Sequence, residues 1–383
     1  MPGGKTHLAE RRTPRLVLVI GSLGCGGAER ALIDMANHWK RLDWDVTLAT
    51  WSGSEIQDFY EIDPRIDRVM LTAHPAPARV SRFEALRSII IRILKLRRLV
   101  AQREPDAVLS FIDVSNVLTI LASAALRVRV VVSERTNPSQ NETISQFWRL
   151  LRRLTYRWAG AVVAQTNDAA GWLDNQCGVR SLVIPNAIRR MPEIDAVRGP
   201  LILAIGRLTR EKGIDTLLRA FAQISDRFRE WRLVIAGDGP ERSTLISLCE
   251  ELELNERVDF AGEIRDVETW LARAGLVVHA SRREGFPNAV LEAMAMGAPV
   301  ICTNCRSGPS DIIEDRVNGR LIAVDDVNAL AGAMTELMEN PRFRLRLAAE
   351  ALKVRDSYEQ DKIMDRWSAV LLGQHTTSQR AFD

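Results

Sequence analysis

The feature that most constrains this chain is a unit that occurs twice. In each copy a short apolar run ends in a glycine-containing loop, and the loop opens a helix. The first copy is LVLVI at 16–20, GSLGCGG at 21–27, then Ala28, Leu32, Met35, Ala36 and Trp39 at helical spacing. The second is LILAIG at 201–206, RLTREKG at 207–213, then a helix over 213–228. Apolar runs separated by helices are the pattern of parallel sheets with crossover connections. Further strands are expected at 46–50, 107–112, 128–134, 159–166 and 183–188, and then at 231–237, 275–281, 298–303 and 320–324. Further helices are expected over 241–252, 287–296 and 327–339.

Proline, glycine and acidic residues between Pro192 and Pro200 read as a linker. The expected fold is therefore α/β, with two Rossmann-like domains, 1–190 and 200–356, facing each other across a cleft. Residues 1–14 and 373–383 are expected to be disordered. Ligands of such sheets bind outside the carboxyl ends of the strands.

Charge narrows the choice of partners. The 383 residues carry 52 Lys+Arg and 49 Asp+Glu, a net charge of +3 that excludes a uniformly basic nucleic-acid coat. The sum hides an asymmetry, because residues 1–199 hold 28 basic and 20 acidic side chains, whereas the remainder holds 24 and 29. The N-terminal 15 residues lack an apolar core, so no secretory signal is expected there. Residues 107–126 carry Asp113 and Asn116 and read as a strand plus a helix, not a membrane span. The five cysteines (25, 177, 249, 302 and 305) are scattered and odd in number, which fits a reduced cytoplasmic protein. Cys302 and Cys305 lack a second pair and sit beside an apolar run, so zinc and redox roles are disfavoured.

Three places concentrate chemistry. Glycines 21, 24, 26 and 27 lie between a strand and a helix, where backbone N–H groups can approach an anion. The dinucleotide fingerprint fails there, since Glu29 stands where its third glycine belongs, and a ligand-free tight turn stays open. Arg207 and Lys212 follow the strand at 201–206 and together could neutralise a diphosphate, or be solvated surface charges. Glu284 and Glu292 bracket a loop and the first turns of a helix opened by Pro287, whose free N–H groups face the cleft. Glu292 sits among Leu291, Ala293 and Met294, and a carboxylate there needs partners.

Taken with SLGCGGAER (22–30), IPNAI (184–188), IGRLTREKGIDTLLRAF (205–221) and IAGDGPER (235–242), the segment EGFPNAVLEAMAMGAPVI (284–301) resembles the retaining glycosyltransferases of family 4, which have the GT-B fold. The resemblance spans nearly the whole chain. It implies a nucleotide-sugar donor on the C-terminal domain, an acceptor on the N-terminal domain, and a last helix at 357–372 that packs back on the first domain. It implies catalytic roles for Arg207, Lys212 and Glu284, the two cations holding the donor diphosphate. Donor contacts fall on Gly26, Gly27, Gly206, Gly237, Ile264, Gly285, Phe286, Pro287, Asn288, Ala289 and Glu292, with the base read mainly by backbone at FAGEI (260–264). Family members often carry a His near the reacting carbon. Here VSERTNP (132–138) has Arg135 instead, and its role stays open between a donor phosphate, an acceptor phosphate and an ion pair with Glu134 or Glu142. None of the histidines at 7, 38, 74, 279 and 375 fills that place, and His279, on a strand, reads as a core residue.

The expected mechanism is front-face attack with electrostatic stabilisation of the leaving diphosphate. No Asp-x-Asp pair lies in the motif region, so neither metal nor other cofactor is expected. Segments 79–103 and 149–158 are basic and amphipathic, which suggests peripheral attachment to an anionic membrane on its cytoplasmic face and a lipid-linked glycan acceptor. A nucleotide-sugar epimerase and a non-catalytic sugar-nucleotide-binding subunit are the competing readings.

Overall fold

The structure is a computed structural model that describes residues 12–24, 26–51, 60–72, 81–139 and 144–374. Most of both termini expected to be disordered, Cys25, residues 79–80 and Glu142 lie outside the described residues. The first sheet comprises β1 (Arg15–Ile20), β2 (Asp45–Thr50), β3 (Asp67–Met70), β4 (Ala107–Phe111), β5 (Arg129–Ser133), β6 (Ala161–Ala164) and β7 (Leu182–Val183). The second comprises β8 (Leu201–Ile205), β9 (Arg232–Ala236), β10 (Val258–Gly262), β11 (Leu276–His279), β12 (Val300–Thr303) and β13 (Arg320–Ile322). Their orders are β3-β2-β1-β4-β5-β6-β7 and β10-β9-β8-β11-β12-β13, and every pairing is parallel. Each sheet is thus doubly wound, with its order reversing beside its first strand.

The helices of the first domain are α1 (Gly27–Arg41), α2 (Arg82–Arg103), α3 (Asp113–Ser123), α4 (Gln146–Thr155) and α5 (Asn167–Cys177). The second domain adds α6 (Ile214–Ala222), α7 (Arg242–Glu251), α8 (Val267–Arg273), α9 (Asn288–Ala295), α10 (Pro309–Ile312), α11 (Val327–Glu339), α12 (Pro341–Ala351) and α13 (Val354–Ser357). The last helix, α14 (Gln360–Leu371), returns to the first domain. Its Ile363, Met364, Trp367 and Leu371 share one core with Leu16, Leu18 and Phe111. Trp39 Nε1 also donates to Ser368 Oγ at 3.0 Å.

Two elements differ from expectation. The strand expected over 183–188 is paired only at Leu182–Val183. Pro185 offers no N–H for a ladder, and the chain beyond it turns along the cleft until Ile188 forms an isolated bridge with Glu359. The helix expected over 213–228 ends at Ala222. There the Arg257 guanidinium accounts for the loose carbonyls, donating to Ser225, Phe228 and Trp231 at 2.7–3.1 Å.

Not every helix hides its apolar face. Leu96, Leu99 and Val100 anchor α2 in the core, while Phe83, Leu86, Ile90 and Leu94 are exposed. On α4 and the turn after it, Phe147, Leu150, Leu154 and Trp158 are exposed. The two exposed rows share one spacing: i, i+3, i+7, i+11. Arg87, Lys95, Arg98, Arg149, Arg153 and Arg157 are exposed on the same two segments, and α3 packs against both α2 and α4. Among the described residues no helix is long and apolar enough to cross a membrane.

Candidate functional site

A doubly wound sheet opens a crevice where its strand order reverses, beyond the carboxyl ends. In the second domain that point lies between β8 and β11. Gly206 and Arg207 leave β8 there, Lys212 follows in a single helical turn, and β11 ends on His279. Lys212 Nζ and His279 Nε2 converge on one oxygen, Glu284 Oε1, at 2.6 and 2.7 Å. Ser281 Oγ lies 3.0 Å from His279 Nε2. The Glu284 side chain is only 9% exposed. Burial would raise its carboxyl, but His279 and then Lys212, by charge and hydrogen bond, hold it down to about 2. It is therefore a carboxylate at any working pH, an acceptor and not an acid.

The two loops that carry this cluster are tied together. Arg282 donates to Asp215 and Asp325 at 2.7–2.8 Å and to the Arg210 carbonyl at 2.6 Å. Arg207 is exposed, and among the described residues no hydrogen bond holds its side chain. Gly206, Gly237 and Ile264 stand just beyond β8, β9 and β10. Gly237 has φ +140°, and a Cβ there would overlap the Gly206 carbonyl. Ile264 packs partly buried against the core that holds Leu203, Val277 and Phe286.

The other wall comes from the first domain. Gly26 caps α1 with no side-chain bond, and Gly27 begins it. A Cβ on Gly27 would stand 3.2 Å from Asn288 Nδ2. Gly285 is closer still: its Cβ would meet the Arg135 carbonyl at 2.9 Å and Thr136 Cα at 3.0 Å. A side chain there would force the two domains apart. Pro287 precedes α9, Asn288 and Ala289 open it, and Phe286 is buried with its ring 6.2 Å from that of Tyr358.

Glu292 on α9 has the partner its apolar neighbours demand. Arg30 of α1 reaches across the seam to its Oε1 at 2.8 Å. Burial pushes the Glu292 carboxyl up, against the opposing pull of Arg30 and then Arg189. Neutral bonds hold the same seam: Asn186 Nδ2 donates to Asn288 Oδ1 at 2.7 Å, and Thr166 and Ser307 hydroxyls lie 2.8 Å apart.

Arg135 does not form the ion pair with Glu134 considered above. Glu134 belongs to the interior of the first domain, bonded by Tyr156 at 2.5 Å and Arg152 at 3.4 Å. Arg135, 7% exposed, instead donates to the Asn186 amide oxygen, lies beside Gln165, and stacks 4.4 Å from the Phe111 ring centroid. Burial lowers the guanidinium to about 9, which leaves it protonated at neutral pH.

The expected residues therefore fall into groups. Lys212 and Glu284 are in contact. Gly27, Arg135, Asn288 and Glu292 line one cavity, which Gly285 joins to Glu284 through the backbone. Arg207, Gly206, Gly237 and Ile264 mark the strand ends without touching that cavity. Sequence reasoning missed His279, Arg30 and Asn186. His279 is buried, as a core residue would be, yet it also orders Glu284, a link that only the five-residue return from β11 could have signalled. Arg30 and Asn186 stood inside quoted motifs, but nothing local pairs them with α9.

The chain is similar to known glycosyltransferases. Residues 25–190 match the family model of Glycosyltransferase Family 4, and residues 191–354 that of Glycosyl transferases group 1. A Campylobacter jejuni alpha-1,4-N-acetyl-D-galactosaminyltransferase, named for a diNAcBac-PP-undecaprenol-linked GalNAc acceptor, is 26% identical over 92% of this chain and 97% of its own. A sucrose-phosphate synthase of Thermosynechococcus elongatus superposes with a TM-score of 0.79 at 20% identity, covering 94% of this chain and 98% of its own. Anabaena HepE in complex with UDP gives 0.78 at 20% identity, covering 94% and 100%. These structures share the GT-B architecture of two Rossmann-like domains.

Proposed function

Because the chain belongs to the group 1, family 4 glycosyltransferases, we propose that it is a retaining enzyme that moves a sugar from a UDP-linked donor onto a lipid-linked glycan, forming an α-linkage. The observation that carries the reading is the cluster at the second sheet's crevice. Lys212 and an ionised Glu284 are in contact there, with Arg207 open to solvent beside them. A cation at that point neutralises a leaving diphosphate, and a fixed carboxylate accepts bonds from sugar hydroxyls.

Glu284 serves as an acceptor because its Oε1 is already shared between two donors. In the proposed step the C1–O bond to the diphosphate breaks as the acceptor hydroxyl attacks the same face. A phosphate oxygen of the departing group takes the hydroxyl proton. Arg207 and Lys212 supply the positive charge without a divalent metal, so transfer is expected to persist in EDTA. Ribose hydroxyls would compete with Arg30 for Glu292.

The acceptor class rests on the first domain's exposed rows. Phe83, Leu86, Ile90 and Leu94, with Phe147, Leu150, Leu154 and Trp158, present apolar side chains among arginines. That combination suits an anionic bilayer, apolar groups entering the headgroup boundary and cations meeting lipid phosphates. A peripheral position there would bring a polyprenyl-diphosphate glycan to the cleft, and the C. jejuni relative is named for such an acceptor.

The test is a nucleotide-sugar panel read by diphosphate release, first alone and then with polyprenyl-diphosphate glycans. Silence across the panel removes the transferase reading. A C2 epimer without transfer would replace it with the epimerase.

A further inference from the structure

We infer that Arg135 is the anchor for a phosphate group at the seam between the two domains. The inference rests on the nucleotide-sugar reading above and adds a ligand contact to it.

The argument is one of charge balance. Arg135 is buried, its Nε has no partner, and among the described residues it makes no ion pair. Its neighbours are the neutral amides of Asn186 and Gln165 and an aromatic face. Among the described residues the one other buried arginine, Arg152, meets an acid, Glu134. Arg135 instead lines a cavity with Gly27 and Asn288, the first residues of α1 and α9. Both helices present their positive ends there. The acids of that cavity, Glu292 and Asp34, are already bonded to Arg30 and Arg189. Three sources of positive potential thus converge on one space with no free anion to answer them. A buried charge left in this way is costly, and a ligand of opposite sign removes the cost.

The chemistry recognised is a phosphate, from either the donor diphosphate or the diphosphate of a lipid-linked acceptor. The experiment compares wild type, R135Q and R135K, first by thermal melting with and without pyrophosphate. R135Q is expected to melt no lower than wild type in plain buffer, because it deletes an uncompensated buried charge, and to lose the rise that pyrophosphate gives wild type. Titration then separates the sources. If the donor supplies the phosphate, R135Q weakens UDP at least tenfold and leaves uridine unchanged. If the acceptor supplies it, UDP affinity holds, while KM rises at least tenfold for a diphosphate-linked glycan and not for the same glycan on a neutral linker. R135K recovers part of either loss.

Wild-type affinities for pyrophosphate, UDP and the diphosphate acceptor in R135Q overturn the inference alone. So does a melting temperature several degrees lower in R135Q, which marks the guanidinium as structural. Failure of wild type itself to bind UDP or pyrophosphate overturns both the inference and the donor reading beneath it.

Discussion

At the end of β11 in the second domain, Glu284 is buried and bonded to Lys212 and His279. At the end of β5 in the first domain, Arg135 is buried to a similar depth and makes no ion pair among the described residues. The same doubly wound topology puts both groups at the cleft. The second domain settles the charge of Glu284 from within, whereas the first leaves that of Arg135 open. The contrast extends to the surface: the first domain leaves two apolar rows exposed on α2 and around α4, studded with arginines. Glu134, next in sequence to Arg135, shows that the first domain can compensate a buried charge, since Arg152 and Tyr156 satisfy it. Uncompensated charge and uncovered apolar surface are therefore local to the faces that would meet partners. On the reading proposed above, one half presents a finished pocket and the other a surface that its ligands complete.

The most direct way to break this comparison is to unsettle the finished half. Lys212→Ala removes the cation beside Glu284, and loss of one such stabilising group costs about 100- to 1000-fold in turnover. The expected outcome is that loss, with an unchanged circular dichroism spectrum. Near-normal turnover would show that the cluster is only structural and that chemistry lies elsewhere in the cleft.

Glu284→Gln tests the same cluster by pH. The folded carboxyl sits at about 2 against an ordinary 4.5. A depressed carboxylate contributes stability that is fully present above the unfolded pKa, about 4.5, and is lost as pH falls toward 2. The contribution near neutrality is at most about 3 kcal/mol. The melting-temperature gap between wild type and E284Q should therefore be flat from pH 7 to 5 and close below that. A gap that keeps its full neutral-pH size at pH 3, where charge alone would leave less than half of it, would mean that packing is what the Gln loses.

Much of this was legible in the sequence, and the limits are physical. The two sheets could be read because each inner strand is buried on both faces and so is apolar throughout. β3 was missed because it is a four-residue edge strand, exposed along most of its length, with the composition of a loop. The site followed the same division. Glycines, cations and acids at strand ends are local signals, and Lys212, Glu284 and Glu292 were singled out by them, whereas Gly285 came from the family resemblance. Pairing is not a local signal. Nothing near Glu292 in the chain announces Arg30, and nothing near Arg135 says that Glu134 is taken by Arg152. Burial without a counter-ion became visible only once the fold had assigned every acid of the cavity to another arginine.

The exposed rows sharpen the comparison from the other side. An apolar side chain moved from water into an apolar surrounding gains about 1.5–3 kcal/mol. Phe83→Glu with Trp158→Glu should therefore cut binding to phosphatidylglycerol vesicles by about tenfold or more, since the added carboxylates also meet lipid phosphates. Flotation at low salt reads the loss. Activity on a water-soluble acceptor analogue should not change, because neither side chain lines the cleft. If vesicle binding survives, the rows are ordinary solvated surface and the first domain is less unfinished than it looks.

The smallest effect concerns the seam itself. Ser307 and Thr166 share a buried hydroxyl bond between the domains, and Thr166 also caps α5 by accepting from the Ala169 N–H at 3.2 Å. Ser307→Ala deletes the bond across the seam and keeps the cap. A neutral hydrogen bond of this kind contributes about 1 kcal/mol. The way the loss is distributed is more informative than its size. α14 begins beyond the second domain and closes the core of the first, so the halves share packing as well as hydrogen bonds. If they melt as one unit, Ser307→Ala should lower a single calorimetric transition slightly and leave its width unchanged. If the second domain stands alone, the transition should split, with the first domain melting earlier.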